Sequence, residues 1–170
     1  ENYPNVRCDL KNEKAFELAK IFGAKFIIDS NYIQKSIRDL FNKMGKTILL
    51  FEGGKSLQLD REVINCGVTG ALNVMKHLGM HEGELTTNFE FEILNNTKWL
   101  RAPHSGLFET LITNGSNVKH KDVIGRISDP YGEFERKIYA PFDCCIYGLN
   151  TAPIVYKGDA IFHVNIEVQL

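Results

Sequence analysis

Apolar and polar residues alternate along this chain with two different periods, and the change falls near its middle. Ala15, Phe16, Leu18, Ala19 and Phe22 recur at helical spacing, with Asn12 placed to cap the start and Gly23 to end the helix. Lys25 to Ile28 predicts a short strand. Beyond the Asp29-Ser30-Asn31 turn, Ile33, Ile37, Leu40, Phe41 and Met44 predict a second helix with one apolar stripe, closed by Gly45. Thr47 to Phe51 predicts a buried strand, since all but Thr47 are large and apolar. Asp60 caps a third helix that carries Val63, Ile64, Val68, Ala71, Leu72, Val74 and Met75 and stops near Gly79. The segment Asn2 to Arg7, with Pro4 inside it, reads as a loop.

Helices that alternate with strands argue for an α/β domain, a piece of parallel sheet with helices on its faces. Two strands make a poor sheet alone. The expectation is therefore an incomplete sheet over residues 1–81, with preceding strands missing from this chain or supplied by another.

The helical period disappears after His81. Residues 82–87 are polar and serve as a linker, and Pro, Gly and β-branched residues follow. Residues 82–170 contain an internal repeat. Ala102-Pro103 before Gly106 matches Ala140-Pro141 before Cys144. Val118-Lys119-His120-Lys121-Asp122-Val123-Ile124 matches Val155-Tyr156-Lys157-Gly158-Asp159-Ala160-Ile161, and Ile127 matches Val164. Two such halves folded against each other make a small β-sandwich or barrel with quasi-two-fold symmetry. The pattern resembles the barrel-sandwich hybrid of biotinyl and lipoyl domains, which carry a modified Lys on the hairpin between the halves. Here that hairpin, residues 127–134, has no Lys at its tip, and Lys137 lies in the return strand. Covalent carrier chemistry is not expected.

The strand at Thr47–Phe51 runs into Glu52-Gly53-Gly54. A carboxylate at the carboxyl edge of a parallel strand sits where open α/β sheets bind ligands, which makes Glu52 the first candidate for chemistry. The plainer alternative is that Glu52 caps a turn or pairs with a nearby Lys.

The formal net charge of −1, without a basic run, argues against a nucleic-acid partner. No apolar run approaches the roughly 18 residues needed to span a bilayer. Cys8, Cys66, Cys144 and Cys145 show no Cys-x-x-Cys spacing, so reduced, mostly buried thiols in a cytoplasmic protein are expected. The polar start at Glu1, without an initiator Met or a signal peptide, reads as the middle of a chain.

Four motifs in order carry a resemblance: Asn2-Tyr3-Pro4-x-Val6-Arg7, Ile48-Leu49-Leu50-Phe51-Glu52-Gly53-Gly54, Gly67-Val68-x-Gly70-x-x-Asn73-Val74-x-x-x-Leu78-Gly79, and Arg101-Ala102-Pro103-x-x-Gly106-Leu107-Phe108. Together they resemble the carboxyl-terminal portion of the succinylglutamate desuccinylase/aspartoacylase family, whose first domain is zinc-carboxypeptidase-like. The resemblance implies a zinc-dependent deacylase that hydrolyses the amide bond of an N-acyl amino acid or similar small molecule. It implies Glu52 as general base toward a zinc-bound water and then acid toward the leaving amine. It implies Arg7 as a bidentate holder of a substrate carboxylate; surface pairing of Arg7 with Asp9 or Glu13 stands equally open. The family's zinc ligands, a His-x-x-Glu pair and a later His, match nothing in this sequence. Zinc is therefore expected in the intact protein and no metal, and no activity, in these 170 residues alone. Such a piece is expected to self-associate or to associate with the missing amino-terminal part. The competing function is a non-catalytic binding or assembly module.

Several tempting features weigh less. His77 and His81 share the spacing of helical metal ligands, but Gly79 lies between them. His104 could face the Glu52 edge, or simply sit in a turn. His120 and His163 occupy nearly matching repeat positions and look structural. Cys144 and Cys145 point to opposite faces of a strand, so a bond between them would be strained. Gly53-Gly54-Lys55-Ser56 lacks the earlier glycine of a phosphate loop.

Overall fold

The computed structural model describes residues 1–86 and 90–166. The elements follow in the order β1 (Asn2–Cys8), α1 (Glu13–Phe22), β2 (Phe26–Asp29), α2 (Ile37–Lys43), β3 (Leu50–Gly54), α3 (Arg61–His77) and β4 (Glu92–Leu94). Eight further strands come next: β5 (Thr97–Arg101), β6 (Gly106–Thr110), β7 (Ser116–Val118), β8 (Val123–Ser128), β9 (Glu135–Tyr139), β10 (Cys144–Leu149), β11 (Ile154–Val155) and β12 (Ala160–Ile166). The result is a mixed α/β chain in two compact units. One spans Pro4–Asn95; the other joins Glu1–Tyr3 to the chain from Asn96 onward. No helix among the described residues is long and apolar enough to cross a membrane.

The first unit is a parallel α/β layer. β1 and β2 run parallel, with Val6 opposite Ile27 and Cys8 opposite Asp29, and β4 continues beside β2 with Ile27 opposite Ile93. β3 pairs with the other side of β1. The period-2 alternation of β1 sends Val6 and Cys8 into a core with Ala15, Ala19, Phe22 and Ile27, and sends Asn5 and Arg7 to the opposite side. Helices α1 and α3 start where their caps dictate: Asn12 accepts the Ala15 N–H at 3.1 Å, and Asp60 accepts those of Glu62 and Val63. Two glycines of α3 are set by rings. A Cβ on Gly67 would meet the Phe51 ring at 2.9 Å, and one on Gly70 the Phe22 ring at 2.3 Å.

Four expectations need correction here. The segment Asn2 to Arg7 is not a loop but the strand that β2 and β3 flank, because Pro4 sits near its start, where a missing N–H does not break the ladder. With β4 it brings this unit's sheet to four strands, so the chain itself supplies two strands that the pattern did not mark. The strand expected at Thr47–Phe51 starts at Leu50 and runs on to Gly54, and it is half-buried rather than buried. Helix α2 begins only at Ile37, and its apolar stripe faces outward.

The second unit is a two-layer antiparallel β structure. One sheet has the order β11-β6-β8-β9; in the other, β12 lies between β10 and β5, with β7 also on β10. Residue Asn2 pairs with Gly148, and the Glu1 ammonium donates to the Leu149 carbonyl at 2.7 Å. Phe108, Ile124, Ile127 and Ile138 of the first sheet meet Ile146, Ile161, Phe162 and Val164 of the second, and the Phe108 and Phe162 rings touch edge to face at 5.6 Å.

Two turns in this unit have the same construction. Asp122 accepts the Lys119 N–H and Asp159 accepts the Tyr156 N–H, each at 2.8 Å. The first turn bonds Ala140 (Lys121 N–H to its carbonyl, its N–H to the Asp122 carbonyl), and the second bonds Ala102 in the same way through Gly158 and Asp159. Each repeat's turn is thus tied to the other repeat's alanine. The β8–β9 hairpin tip is closed by Asp129, whose carboxylate accepts the N–H groups of Tyr131, Gly132 and Glu133.

Candidate functional site

The carboxyl ends of β1 and β2 lie side by side in the first unit, as expected for a ligand-binding edge of a parallel sheet. Arg7 is the penultimate residue of β1, on the side away from α1. Its Nε–H donates to Glu52 Oε2 at 2.7 Å, and the two side chains are 20% and 33% exposed. Neither Asp9 nor Glu13 is the partner of Arg7. Glu52 is held from its backbone as well, because buried Asn5 donates its Nδ2–H to the Glu52 carbonyl at 3.2 Å. Glu52 is the third of five residues in β3 rather than the residue after a strand. Its carboxylate is therefore fixed by a ladder, not by a turn.

Arg7 reaches Glu52 through Nε alone. Its two terminal nitrogens make no hydrogen bond to the described residues, and together they form a two-pronged donor of the spacing a second carboxylate fits.

A second cluster follows β2. The Ser30 N–H donates to the Cys8 carbonyl at 2.9 Å and seats the turn on the sheet edge. Arg38, in α2, donates from its two terminal nitrogens to Ser30 Oγ at 3.1 Å and Ser30 O at 3.0 Å. Its guanidinium lies 5.3 Å from the Tyr32 ring centre. Arg38 is only 9% exposed, its Nε–H has no acceptor, and no carboxylate of the described residues lies within ion-pair distance of it. The Tyr32 hydroxyl is also buried without a partner. Burial first, and Asp9 second, raise the Tyr32 pKa, with Arg38 opposing. Burial also pushes the Cys8 thiol up to about 11, reinforced by Asp29 and opposed by Arg38, so Cys8 is an inert neutral thiol.

Arg38 and Tyr32 escaped the sequence reading because the apolar stripe of α2 drew attention to the opposite face. The available signal was the polar turn Asp29-Ser30-Asn31 at the carboxyl end of a parallel strand, with a cation on the next helix.

The remaining candidates are dispersed. His77 lies 3.5 Å from Glu17, and His81 contacts the Glu82 carbonyl. His104 belongs to the second unit, where its ring meets Phe134 edge-on. His163 is bonded to the Tyr147 hydroxyl at 2.8 Å and stacked on Trp99. Among the described residues no group of three His, Cys, Asp or Glu side chains is placed to hold a metal ion. A catalytic zinc does not fit the donors present among the described residues.

A strand-borne carboxylate gripped by an arginine and, in a second cluster, a buried arginine bonded to Ser30 belong to the parallel sheet of an α/β protein. The comparisons narrow the class. No protein-family profile matches the chain, and no curated protein matches it in sequence. Solved structures do. The ectoine utilization protein EutE (DoeB) from Ruegeria pomeroyi matches with a TM-score of 0.85 at 19% identity, over 98% of this chain and 56% of that one. A succinylglutamate desuccinylase/aspartoacylase from Rhodobacter sphaeroides matches with 0.83 at 20%, over 99% and 55%. An aspartoacylase family protein from Mesorhizobium loti matches with 0.75 at 17%, over 98% and 59%. The chain has the fold of succinylglutamate desuccinylase/aspartoacylase family structures along nearly its whole length. It spans a little over half the length of those proteins, a share consistent with a carboxyl-terminal portion.

Proposed function

We propose that this chain is the carboxyl-terminal portion of a zinc-dependent deacylase that hydrolyses the amide bond of an N-acyl amino acid or similar small molecule. Three things support the reading: the shared fold, the sheet-edge position of the pair, and above all the 2.7 Å contact between Arg7 and Glu52. In this reading Glu52 takes a proton from the attacking water and hands it to the amide nitrogen as the carbon–nitrogen bond breaks. Arg7 holds the Glu52 carboxylate through Nε and offers its terminal nitrogens to a substrate carboxylate. Arg38 adds a second positive charge after β2, bonded through both terminal nitrogens to Ser30. Zinc, in this proposal, is held by donors outside these 170 residues. The second unit, with its mutually tied repeats, is read as a barrel-sandwich module that accompanies the catalytic layer. Four free cysteines fit a reducing compartment.

The test is amine release from N-acetyl and N-succinyl amino acids by the natural polypeptide that contains these residues. Glu52→Gln should lower kcat by about 10²–10⁴-fold, the usual worth of a general base, with an unchanged melting temperature. An unchanged kcat would remove Glu52 from the chemistry.

A further inference from the structure

Glu52 is held at two points by one face of β1. Asn5 and Arg7 are two residues apart, so the alternation of the strand puts both on the side away from α1. Arg7 takes the carboxylate, Nε–H to Oε2 at 2.7 Å, and Asn5 takes the main chain, Nδ2–H to the Glu52 carbonyl at 3.2 Å. Asn5 is fully buried, at 0% exposure. A carboxamide taken out of water costs free energy unless it is hydrogen-bonded, and a β-branched apolar residue suits a buried strand position better. What the asparagine adds is a donor where β1 lacks one. Pro4 has no N–H to give, and it lies against β3: a Cβ on Gly53 would come within 3.2 Å of Pro4 Cα and 2.7 Å of Val63 Cγ1. The Asn5 side chain thus bonds the Glu52 carbonyl beside a residue whose backbone has no N–H, and the bare Gly53 lets β3 lie close.

We propose that Asn5 is a positioning residue for Glu52: it fixes the main chain from which the carboxylate side chain starts, while Arg7 fixes where that side chain ends. The inference rests on the reading of Glu52 as general base. Such a base works only within hydrogen-bond reach of the proton it takes, and a displacement of about 1 Å can cost about 10²-fold in rate. Arg7 by itself holds the carboxylate through one contact, about which it can swing. Because Asn5 is fully buried and bonds backbone, it acts through Glu52 and not on substrate.

Amine release from N-acetyl and N-succinyl amino acids by the natural polypeptide tests it, with Asn5→Ala, Asn5→Val and Glu52→Gln made singly and Asn5→Ala also combined with Glu52→Gln. Asn5→Ala and Asn5→Val both remove the donor, and each should lower kcat by about 10–10²-fold while KM stays within about twofold. Val suits a strand, so Asn5→Val keeps the test open if the cavity left by Ala unfolds the protein. In the Glu52→Gln background Asn5→Ala should lower the residual rate no further, since the carboxylate it positions is gone. An unchanged kcat in a folded Asn5 variant, with Glu52→Gln impaired, would overturn the positioning role and leave the deacylase reading standing. A further fall of about 10-fold in the combined variant would also overturn it, because Asn5 would then act independently of Glu52. Unfolding of both Asn5 variants would assign the residue to the fold and overturn it as well. A full rate for Glu52→Gln would instead remove the deacylase reading, and the role of Asn5 with it.

Discussion

Gly70→Ala sets two physical effects of opposite sign against each other. In an exposed helix Ala is favoured over Gly by about 1 kcal/mol. At Gly70 the added methyl would lie 2.3, 2.4 and 2.5 Å from three atoms of the Phe22 ring, more than 1 Å inside ordinary contact. The ring has little room to retreat, being buried and in contact with the Phe51 ring at 5.2 Å between centroids. Overpacking costs about 1–3 kcal/mol, and contacts this short take the upper part, about 2–3 kcal/mol; less the roughly 1 kcal/mol of helix propensity, the net loss is about 1–2 kcal/mol. At about 2–4 °C per kcal/mol in a chain of this size, the melting temperature should fall by about 2–8 °C. All three helices of the described residues lie in the first unit, so circular dichroism at the helical band during urea titration reports on that unit. In a Phe22→Leu background the clash is relieved, and Gly70→Ala should become neutral or stabilising by about 1 kcal/mol. A gain of about 1 kcal/mol in the unmodified background would refute the reasoning, because it would show that the helices separate freely.

Two other predictions concern the same unit. The Cys8 thiol, raised from 9.0 to about 11 mainly by burial, makes stability depend on alkaline pH. Below about pH 9 folded and unfolded chains both carry the neutral thiol and nothing changes; between about 9 and 11 only the unfolded chain loses the proton, so about 2–3 kcal/mol of stability is lost as pH rises. Urea titrations at neutral and alkaline pH should show a steeper loss for the unmodified chain than for Cys8→Ala, and equal slopes would contradict it. Buried Asn73 accepts the Thr86 N–H at 2.9 Å and donates to the Thr86 carbonyl at 3.4 Å, pinning the segment after α3. Asn73→Ala should cost about 1–3 kcal/mol and expose residues 82–86 to proteolysis; an unaltered cleavage pattern would argue against the pin.

The local rules were sufficient wherever a segment's fate depends on its near neighbours. Asn12 and Asp60 start their helices because a side-chain acceptor two or three residues upstream satisfies free N–H groups, and Gly23 ends one by taking φ +81°. The Lys119–Asp122 and Tyr156–Asp159 turns were visible as a repeated motif for the same reason: each closes on its own backbone. Glu52 was visible as the carboxylate after a strand and before Gly-Gly, and Arg7 through a resemblance. Their 2.7 Å contact was not, because 45 residues separate them and only the pairing of β3 with β1 brings them together. The strand nature of Asn2–Cys8 likewise came from its neighbours on both sides, which outweighed the loop signal of Pro4. The periodicity of α2 correctly marked one apolar face, but periodicity carries no information about which face meets the core. The tertiary structure decided that, through the grip of Arg38 on Ser30, and turned the apolar face outward.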